Sequence, residues 1–282
     1  MGLISFDPVH GTTSPANSVS LTVPTAMTPL TQKDFGYKGR GEVSGKILVD
    51  LEGQGTYRST HGSFASSLTV TAKQGSTIKT TTTNGSGEYS FDSLSTGVWE
   101  IFVDTGDIPS GHVVSYGQNA TSVTARGVTL DIDSALLGRS AVLKATNIYL
   151  GYRGSAAIKG RLVYDNDDTD GAAYNGAVDG LFAAGYTVTL QGGSGFTPFT
   201  TTTNSSGEYT FSGLTTYAYY KVVVANPAGY VFSFDPDSAT VTPPTAPVGN
   251  GEAVIPITSP TQTLINQDFA FKGAGKIAGL IY

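Results

Sequence analysis

The residues best suited to chemistry lie in one acidic run between positions 165 and 179. Carboxylate and amide oxygens alternate along it, and a glycine allows a sharp bend. This pattern suits a hard cation such as calcium, which takes roughly six to eight oxygen ligands. Asn166, Asp168 and Asp170 hold positions one, three and five of such a loop. Position twelve is Ala177, so the bidentate glutamate of an EF-hand is missing.

The acidic run therefore predicts a calcium site, with calcium as the cofactor of the chain. Without a cation its aspartates would repel one another, so the alternative is a solvated polar loop that holds no ion. The predicted ligands are Asp165, Asn166, Asp168, Asp170 and Asp179.

Two strands must position this loop. Residues 157–164 and 186–190 read as strands on either side of it, and the second alternates with period two. The same alternation appears in Trp99-Glu100-Ile101-Phe102-Val103, where every second side chain can enter a core while its neighbours face outward. We therefore expect five side chains to be buried: Trp99, Ile101, Val103, Tyr209 and Phe211.

The chain is a tandem array. Residues 80–91 return almost unchanged at 200–211, and a segment that ends at Gly39 has counterparts that end at Gly154 and Gly273. Units of this length are near the usual size for one self-sufficient core. We expect 1–40 to be the back half of a repeat, 41–155 and 156–273 to be complete β-sandwich repeats, and 274–282 to be the first strand of a further repeat.

These boundaries do not coincide with the ends of the sequence. We expect the chain to belong to a longer continuous polypeptide whose neighbouring segments complete both terminal units. The alternative is polymerisation of subunits, in which residues 276–282 add as a strand to the exposed edge of the next subunit.

The first repeat has its own version of the acidic loop at residues 50–67. This version is shorter and retains Asp50 and Glu52 as its acidic residues. We expect no strong calcium site there, because two carboxylates supply too few of the oxygens that calcium takes.

Composition narrows the class of protein and partner. The 36 glycines, 13 prolines and 13% charged residues fit many short strands joined by turns. The net charge is −6 without a basic cluster, which argues against a nucleic-acid partner. No apolar stretch approaches the roughly 18 residues of a membrane helix. The absence of cysteine from all 282 residues excludes disulfides and favours a microbial surface protein over a secreted eukaryotic module.

An ordered set of motifs accompanies the first strand and the acidic loop, with the closing motif taken from the copy at 34–37. These motifs are a strand at 185–190, a Thr-rich hairpin at 200–214, a Y-x-V-x-V strand at 220–224, a P-x-G-Y turn at 227–230 and a D-F-G-Y closing segment at 34–37. The set resembles the SdrD B-type repeats and the related Cna B-type and transthyretin-like modules of bacterial surface proteins. The resemblance implies an all-β fold of tandem Greek-key β-sandwiches, used as a stalk or spacer. It also implies a looser calcium arrangement, in which Asp179 replaces the missing glutamate.

Cna B-type modules also form isopeptide bonds between a lysine and an Asn or Asp, assisted by a buried glutamate. The resemblance directs attention to Lys46, with Glu88 as the helper. Its candidate partners are Asp34, Asp131 and Asn147. Because Arg161 matches Lys46 in the second repeat, we favour a solvated lysine on a strand.

The remaining groups do not predict an enzyme. His10, His61 and His112 lie on different elements, and no Ser–His–Asp arrangement is readable. We expect a structural or surface role for each histidine. The class we expect is therefore a non-enzymatic, extracellular, cell-surface protein of a prokaryote.

In this interpretation the tandem sandwiches form a stalk, surface layer or filament, and calcium stiffens the competent loop. Its partners are neighbouring copies or further repeats of the same protein. One alternative is an adhesin whose loops or exposed strand edge bind a glycan or a protein. A weaker alternative is a set of accessory domains of a large secreted enzyme.

Overall fold

A computed structural model of the chain describes residues 3–6, 36–38, 41–132, 143–166, 179–182, 184–236 and 250–275. Every regular element in these ranges is a β-strand, which confirms the predicted all-β class. None of the described residues forms a helix with the length and apolar character needed to cross a membrane.

Contacts divide the chain into two compact units. The first contains Met1–Leu48, Ser63–Ile108 and Tyr116–Leu150. The second contains Val49–Gly62, Pro109–Ser115 and Gly151–Tyr282. The segment Val49–Gly62, which carries Asp50 and Glu52, therefore packs as part of the second unit.

The described strands before residue 154 form one two-stranded sheet and two larger sheets. In the pair, β1 (Leu3–Phe6) lies antiparallel to β2 (Gly36–Lys38). The strands that follow are β3 (Gly41–Val49), β4 (Thr69–Gln74), β5 (Thr77–Thr82), β6 (Glu88–Leu94), β7 (Gly97–Val103), β8 (Val113–Gln118), β9 (Ser122–Val123), β10 (Gly127–Ile132), β11 (Leu143–Ala145) and β12 (Tyr149–Arg153). One sheet has the order β5-β4-β7-β10-β9, and the other has the order β11-β3-β12-β8 with β6 paired to β3.

The core of the first unit follows the predicted alternation with one exception. Trp99, Ile101 and Val103 of β7 are all buried, as expected. Phe102 points to the opposite face and is nevertheless buried. The guanidinium carbon of Arg126 lies 3.7 Å from the centre of its ring, so a cation covers the outward aromatic face.

The second unit also contains two sheets. Its strands are β13 (Ala156–Tyr164), β14 (Gly180–Leu181), β15 (Thr187–Gln191), β16 (Phe199–Thr202), β17 (Glu208–Leu214), β18 (Lys221–Val224), β19 (Tyr230–Phe234), β20 (Glu252–Val254), β21 (Thr263–Leu264) and β22 (Phe269–Gly273). One sheet has the order β14-β13-β22-β19, with β17 and β21 paired to β13, and the other has the order β16-β15-β18-β20.

Buried side chains from both sheets of the second unit form a single cluster. Ile158 and Phe211 come from the first sheet, Val188 and Val222 come from the second, and Tyr209 is buried with them. The two sheets therefore share one core as a β-sandwich. The chain leaves the second sheet at β16, pairs β17 with β13 and returns with β18, which is a Greek-key type of connection.

Both units run a late strand parallel to the first strand. In the first unit, β11 pairs with the start of β3 in parallel register. In the second unit, β21 and β22 both lie parallel to β13, with Leu162 opposite Phe269 and Tyr164 opposite Phe271.

Candidate metal centres

The predicted calcium loop begins and ends at adjacent points of the second unit. Asp165 directly follows β13, and its amide donates to the carbonyl oxygen of Phe271 at 2.9 Å. Asp179 precedes β14, and its Oδ1 lies 3.5 Å from the amide nitrogen of Asn166. The structure therefore brings Asn166 and Asp179 together. The other predicted ligands lie outside the described residues: Asp168 and Asp170.

A second group of potential metal ligands occurs where the sequence did not predict one. Asp50 follows β3 as Asp165 follows β13. Asp50, Glu52 and His61 form a buried triad, here called the Asp–Glu–His triad, whose potential ligand atoms all lie within 4.8 Å of one another. The three side chains are 0%, 1% and 1% exposed, so the triad is shielded from solvent.

His61 holds the centre of the triad. Its Nε2 lies 2.8 Å from Glu52 Oε2 and 3.9 Å from Asp50 Oδ1. Imidazole and carboxylate are both common ligands of transition metals, and they also form strong charge-assisted hydrogen bonds in the absence of a metal.

Asp50 is held by the loop that it begins. Its Oδ1 accepts a hydrogen bond from the Gly53 amide at 2.9 Å, and its Oδ2 accepts one from the Gly55 amide at 2.9 Å. The Ser115 hydroxyl donates to the same Oδ2 at 2.5 Å. Both glycines have positive φ, 66° at Gly53 and 69° at Gly55, which is how so short a loop turns its amides toward the carboxylate.

The loop is also hydrogen-bonded to other parts of the second unit. The Glu52 Oε1 atom accepts a hydrogen bond from the Thr197 amide at 2.7 Å. The Tyr220 hydroxyl donates to the carbonyl oxygen of Leu51 at 2.7 Å. Burial raises the pKa of Tyr220 well above its ordinary value, so this phenol remains a donor at any physiological pH.

The electrostatics of Glu52 depend on these neighbours. Burial alone raises the pKa of this carboxyl, but the hydrogen bonds from His61 and from the Thr197 amide bring it below its ordinary value. Glu52 is therefore a carboxylate at neutral pH, and the His61 Nε2 atom that faces it acts as a hydrogen-bond donor.

The other predicted candidates have simpler environments. Lys46 Nζ lies 3.1 Å from Glu88 Oε1, and the two side chains are 36% and 49% exposed. This is a solvated ion pair on neighbouring strands, as we favoured, and not the buried apolar setting of isopeptide chemistry. The half-buried His112 faces the Thr215 hydroxyl at 2.8 Å, while His10 and Asp34 lie outside the described residues.

The comparisons with known proteins assign the second unit to a class. Residues 157–243 match the SdrD B-like domain. This part of the second unit is therefore similar to SdrD B-like domains, which confirms the resemblance stated from its motifs.

The individual relatives are proteins of Staphylococcus aureus. Serine-aspartate repeat-containing protein D of strain Newman is 32% identical over 171 residues, which cover 58% of this chain and 12% of the relative. Serine-aspartate repeat-containing protein E of the same strain is 29% identical over 171 residues, which cover 57% of this chain and 13% of the relative. This chain thus spans only a small part of the length of these relatives.

Solved structures give weaker similarity. The Bacillus anthracis TIE protein superposes with a TM-score of 0.36 at 13% identity, over 84% of this chain and 34% of that one. GBS52, the minor pilin of Streptococcus agalactiae, superposes with a TM-score of 0.33 at 12% identity, over 86% of this chain and 100% of that one. Because these TM-scores are low, the fold of this chain is defined by its own strand pairing and not by these structures.

Proposed function

We propose that this chain is a structural segment of a bacterial cell-surface protein, in which tandem β-sandwiches form a stalk, surface layer or filament. The observation that carries the proposal is the match of residues 157–243 to the SdrD B-like domain. The similarity to serine-aspartate repeat-containing proteins over 58% of the chain supports it, because it extends beyond this one domain.

The partners in this proposal are neighbouring copies or further repeats of the same protein. Its contribution to function is mechanical and spatial: each sandwich is a packed core of fixed length, and repetition sets a distance from the cell. The absence of cysteine fits this role in a bacterial protein whose domains are stabilised by packing.

We also propose calcium at the acidic loop, bound by Asp165, Asn166, Asp168, Asp170 and Asp179. The closeness of Asn166 and Asp179 supports this ligand set, because it brings the two ends of the acidic loop together. Their oxygens are the hard ligands that calcium takes. Bound calcium would supply positive charge between the carboxylates and hold the loop in one conformation.

Surface exposure tests the proposed function. Intact cells of the source organism are treated briefly with trypsin, and the released peptides are identified by mass spectrometry. We expect peptides of this chain cleaved at the exposed Lys73, while a cytosolic marker protein stays intact. Recovery of these peptides only after lysis would refute the cell-surface assignment.

A further inference from the structure

The Asp–Glu–His triad buries more negative than positive charge. The described hydrogen bonds of the Asp50 side chain are all accepted ones, from Gly53, Gly55 and Ser115, which is the pattern of a carboxylate. Glu52 is a second carboxylate within the same 4.8 Å, whereas His61 can supply one positive charge at most. Buried carboxylates are costly unless positive charge compensates them.

Among the described hydrogen bonds, the donors to the two carboxylates other than His61 are uncharged amides and a hydroxyl. Arg153 Nη1 donates to the Gly53 carbonyl oxygen at 3.1 Å, so its hydrogen bond goes to the backbone of the loop. Amide and hydroxyl groups orient the two carboxylates but carry no net charge. A divalent cation with a neutral His61 would balance both carboxylates together.

The outer hydrogen bonds of the triad resemble the supports of a metal site. Ligating carboxylates are typically fixed by hydrogen bonds that leave other lone pairs for the metal. Asp50 receives such bonds from two backbone amides and a hydroxyl, and Glu52 receives one from the Thr197 amide. The side chains are thus held near one another before any ion arrives.

We propose that Asp50, Glu52 and His61 bind a divalent transition-metal ion of the zinc class, through one oxygen of each carboxylate and Nε2 of the imidazole. The nitrogen ligand separates this site from a calcium or magnesium site, since those ions take oxygen ligands. Zinc takes nitrogen and carboxylate oxygen together at about 2.0–2.2 Å in a tetrahedral arrangement.

The distances in the triad fit such an ion after small adjustments. Ligand atoms of a tetrahedral zinc site lie about 3.4 Å apart, as follows from those bond lengths. The His61 Nε2 atom lies 2.8 Å from Glu52 Oε2 and 3.9 Å from Asp50 Oδ1, so the observed separations bracket that value. On binding, the metal takes the place of the Nε2 proton that faces Glu52. If the ring is an imidazolium this proton leaves to solvent, and if the ring is neutral its proton moves to Nδ1, so that the bound imidazole is neutral in both cases.

The loop that carries the triad is partly open to solvent. Between Glu52 and His61, residues 54–56 and 59–60 are exposed. The whole segment lies outside the strands, because β3 ends at Val49 and β4 begins at Thr69. The ion would then fix Val49–Gly62 within the second unit, which is a structural role that does not depend on the proposed surface function.

The test is titration of zinc chloride into the metal-stripped full chain, followed by isothermal titration calorimetry. We expect saturable binding that Glu52→Gln and His61→Gln each weaken at least about 10-fold. The matched control is His112→Gln, which removes a histidine from the same unit outside the triad and should leave the affinity unchanged. Asn substitutions of Asp168 and Asp170 should also leave it unchanged, which separates this site from the calcium loop.

A second measurement keeps the proposal testable if the triad variants fail to fold. Wild-type chain labelled with ¹⁵N-histidine is titrated with zinc chloride, and the three histidines are resolved by NMR. We expect the Nε2 signal of His61 alone to move to the metal-bound range. A wild-type chain without saturable zinc binding, equal affinity in the triad variants, or a metal-bound signal at His10 or His112 instead would overturn the assignment.

Discussion

Glu52 accepts a hydrogen bond at each of its carboxylate oxygens, one from the His61 ring and one from the Thr197 amide. Neither partner lies close to it in sequence: His61 is 9 residues away and Thr197 is 145 residues away. The free energy of burying this carboxylate therefore depends on contacts that only the folded chain supplies. Loss of either partner leaves part of a buried charge without compensation.

Removal of the His61 ring should therefore destabilise the second unit in the absence of metal. We expect His61→Ala to lower the free energy of unfolding by about 3–5 kcal/mol, because Glu52 then stays buried with a single hydrogen bond. The measurement is urea unfolding of the metal-free chain followed by circular dichroism. His112→Ala is the control and should cost about 1 kcal/mol or less, since its hydrogen bonds with Pro109 and Thr215 are exposed or only partly buried. Equal losses in the two variants would contradict this assignment.

The sequence identified two of the three triad residues but not their arrangement. Asp50 and Glu52 stand out as the acids that survive in a shortened loop, and we expected no strong calcium site from them. For His61 we expected only a structural or surface role, because neither strand nor helix periodicity links it to Glu52. The positive φ angles of Gly53 and Gly55 shape the loop between them, and a single sequence does not specify those angles.

Gly45 and Gly160 permit the same close crossing in the two units. A Cβ atom at Gly45 would lie 1.8 Å from the Ile148 carbonyl oxygen, and one at Gly160 would lie 1.8 Å from the Gln267 carbonyl oxygen. Each of these carbonyl oxygens accepts a hydrogen bond from a buried tyrosine: Tyr89 at 2.7 Å and Tyr209 at 2.5 Å. A side chain on Gly45 or Gly160 would push the segment just before β12 or before β22 away from its glycine and strain the tyrosine hydrogen bond.

Gly45→Ala should therefore destabilise the first unit by at least about 2 kcal/mol through overpacking against the backbone. The readout is the fluorescence of Trp99, the sole tryptophan of the chain, which is buried in that unit. Gly85→Ala is the matched control, because no heavy atom lies within 4 Å of its added Cβ and the second repeat has Ser205 at the corresponding turn position. If the unfolding midpoint of Gly45→Ala equals that of Gly85→Ala, the predicted clash of the added Cβ atom with the Ile148 carbonyl oxygen is wrong.

The strand pattern was predictable because it depends on local alternation. Trp99, Ile101, Val103, Tyr209 and Phe211 are all buried, as period-two alternation predicts. The same alternation predicts that Phe102 is exposed, and this prediction is wrong. Arg126, the residue directly before β10, covers the ring. The alternation within a strand does not indicate which residue of another element will cover an outward-facing side chain.

Calcium should act on the unit that carries the acidic loop. A ligand that binds only the folded state stabilises it by about 2.7 kcal/mol at 100 times its Kd. We expect calcium chloride added to the metal-stripped chain to raise the melting temperature of the second unit, seen by circular dichroism. The Trp99 fluorescence transition should stay in place, because that residue reports the first unit.

Two variants make the calcium experiment specific. Asp168→Asn together with Asp170→Asn should abolish the shift, whereas Asp131→Asn, an exposed aspartate of the first unit, should preserve it. Identical melting in chelator and in millimolar calcium would refute calcium binding at this loop.

The parallel pairing of β22 with β13 has a consequence for how the second unit bears load. If the chain is pulled from both sides of this unit, force enters at the start of β13 and leaves at the end of β22. Because the two strands run in the same direction, that force slides one along the other and loads the bonds around Leu162–Phe269 and Tyr164–Phe271 together. An antiparallel pair of terminal strands would instead unzip one bond at a time. Shear geometry slows forced unfolding, because several hydrogen bonds must break at the same time. The second unit should therefore stay folded under a pulling force that would unfold an antiparallel hairpin.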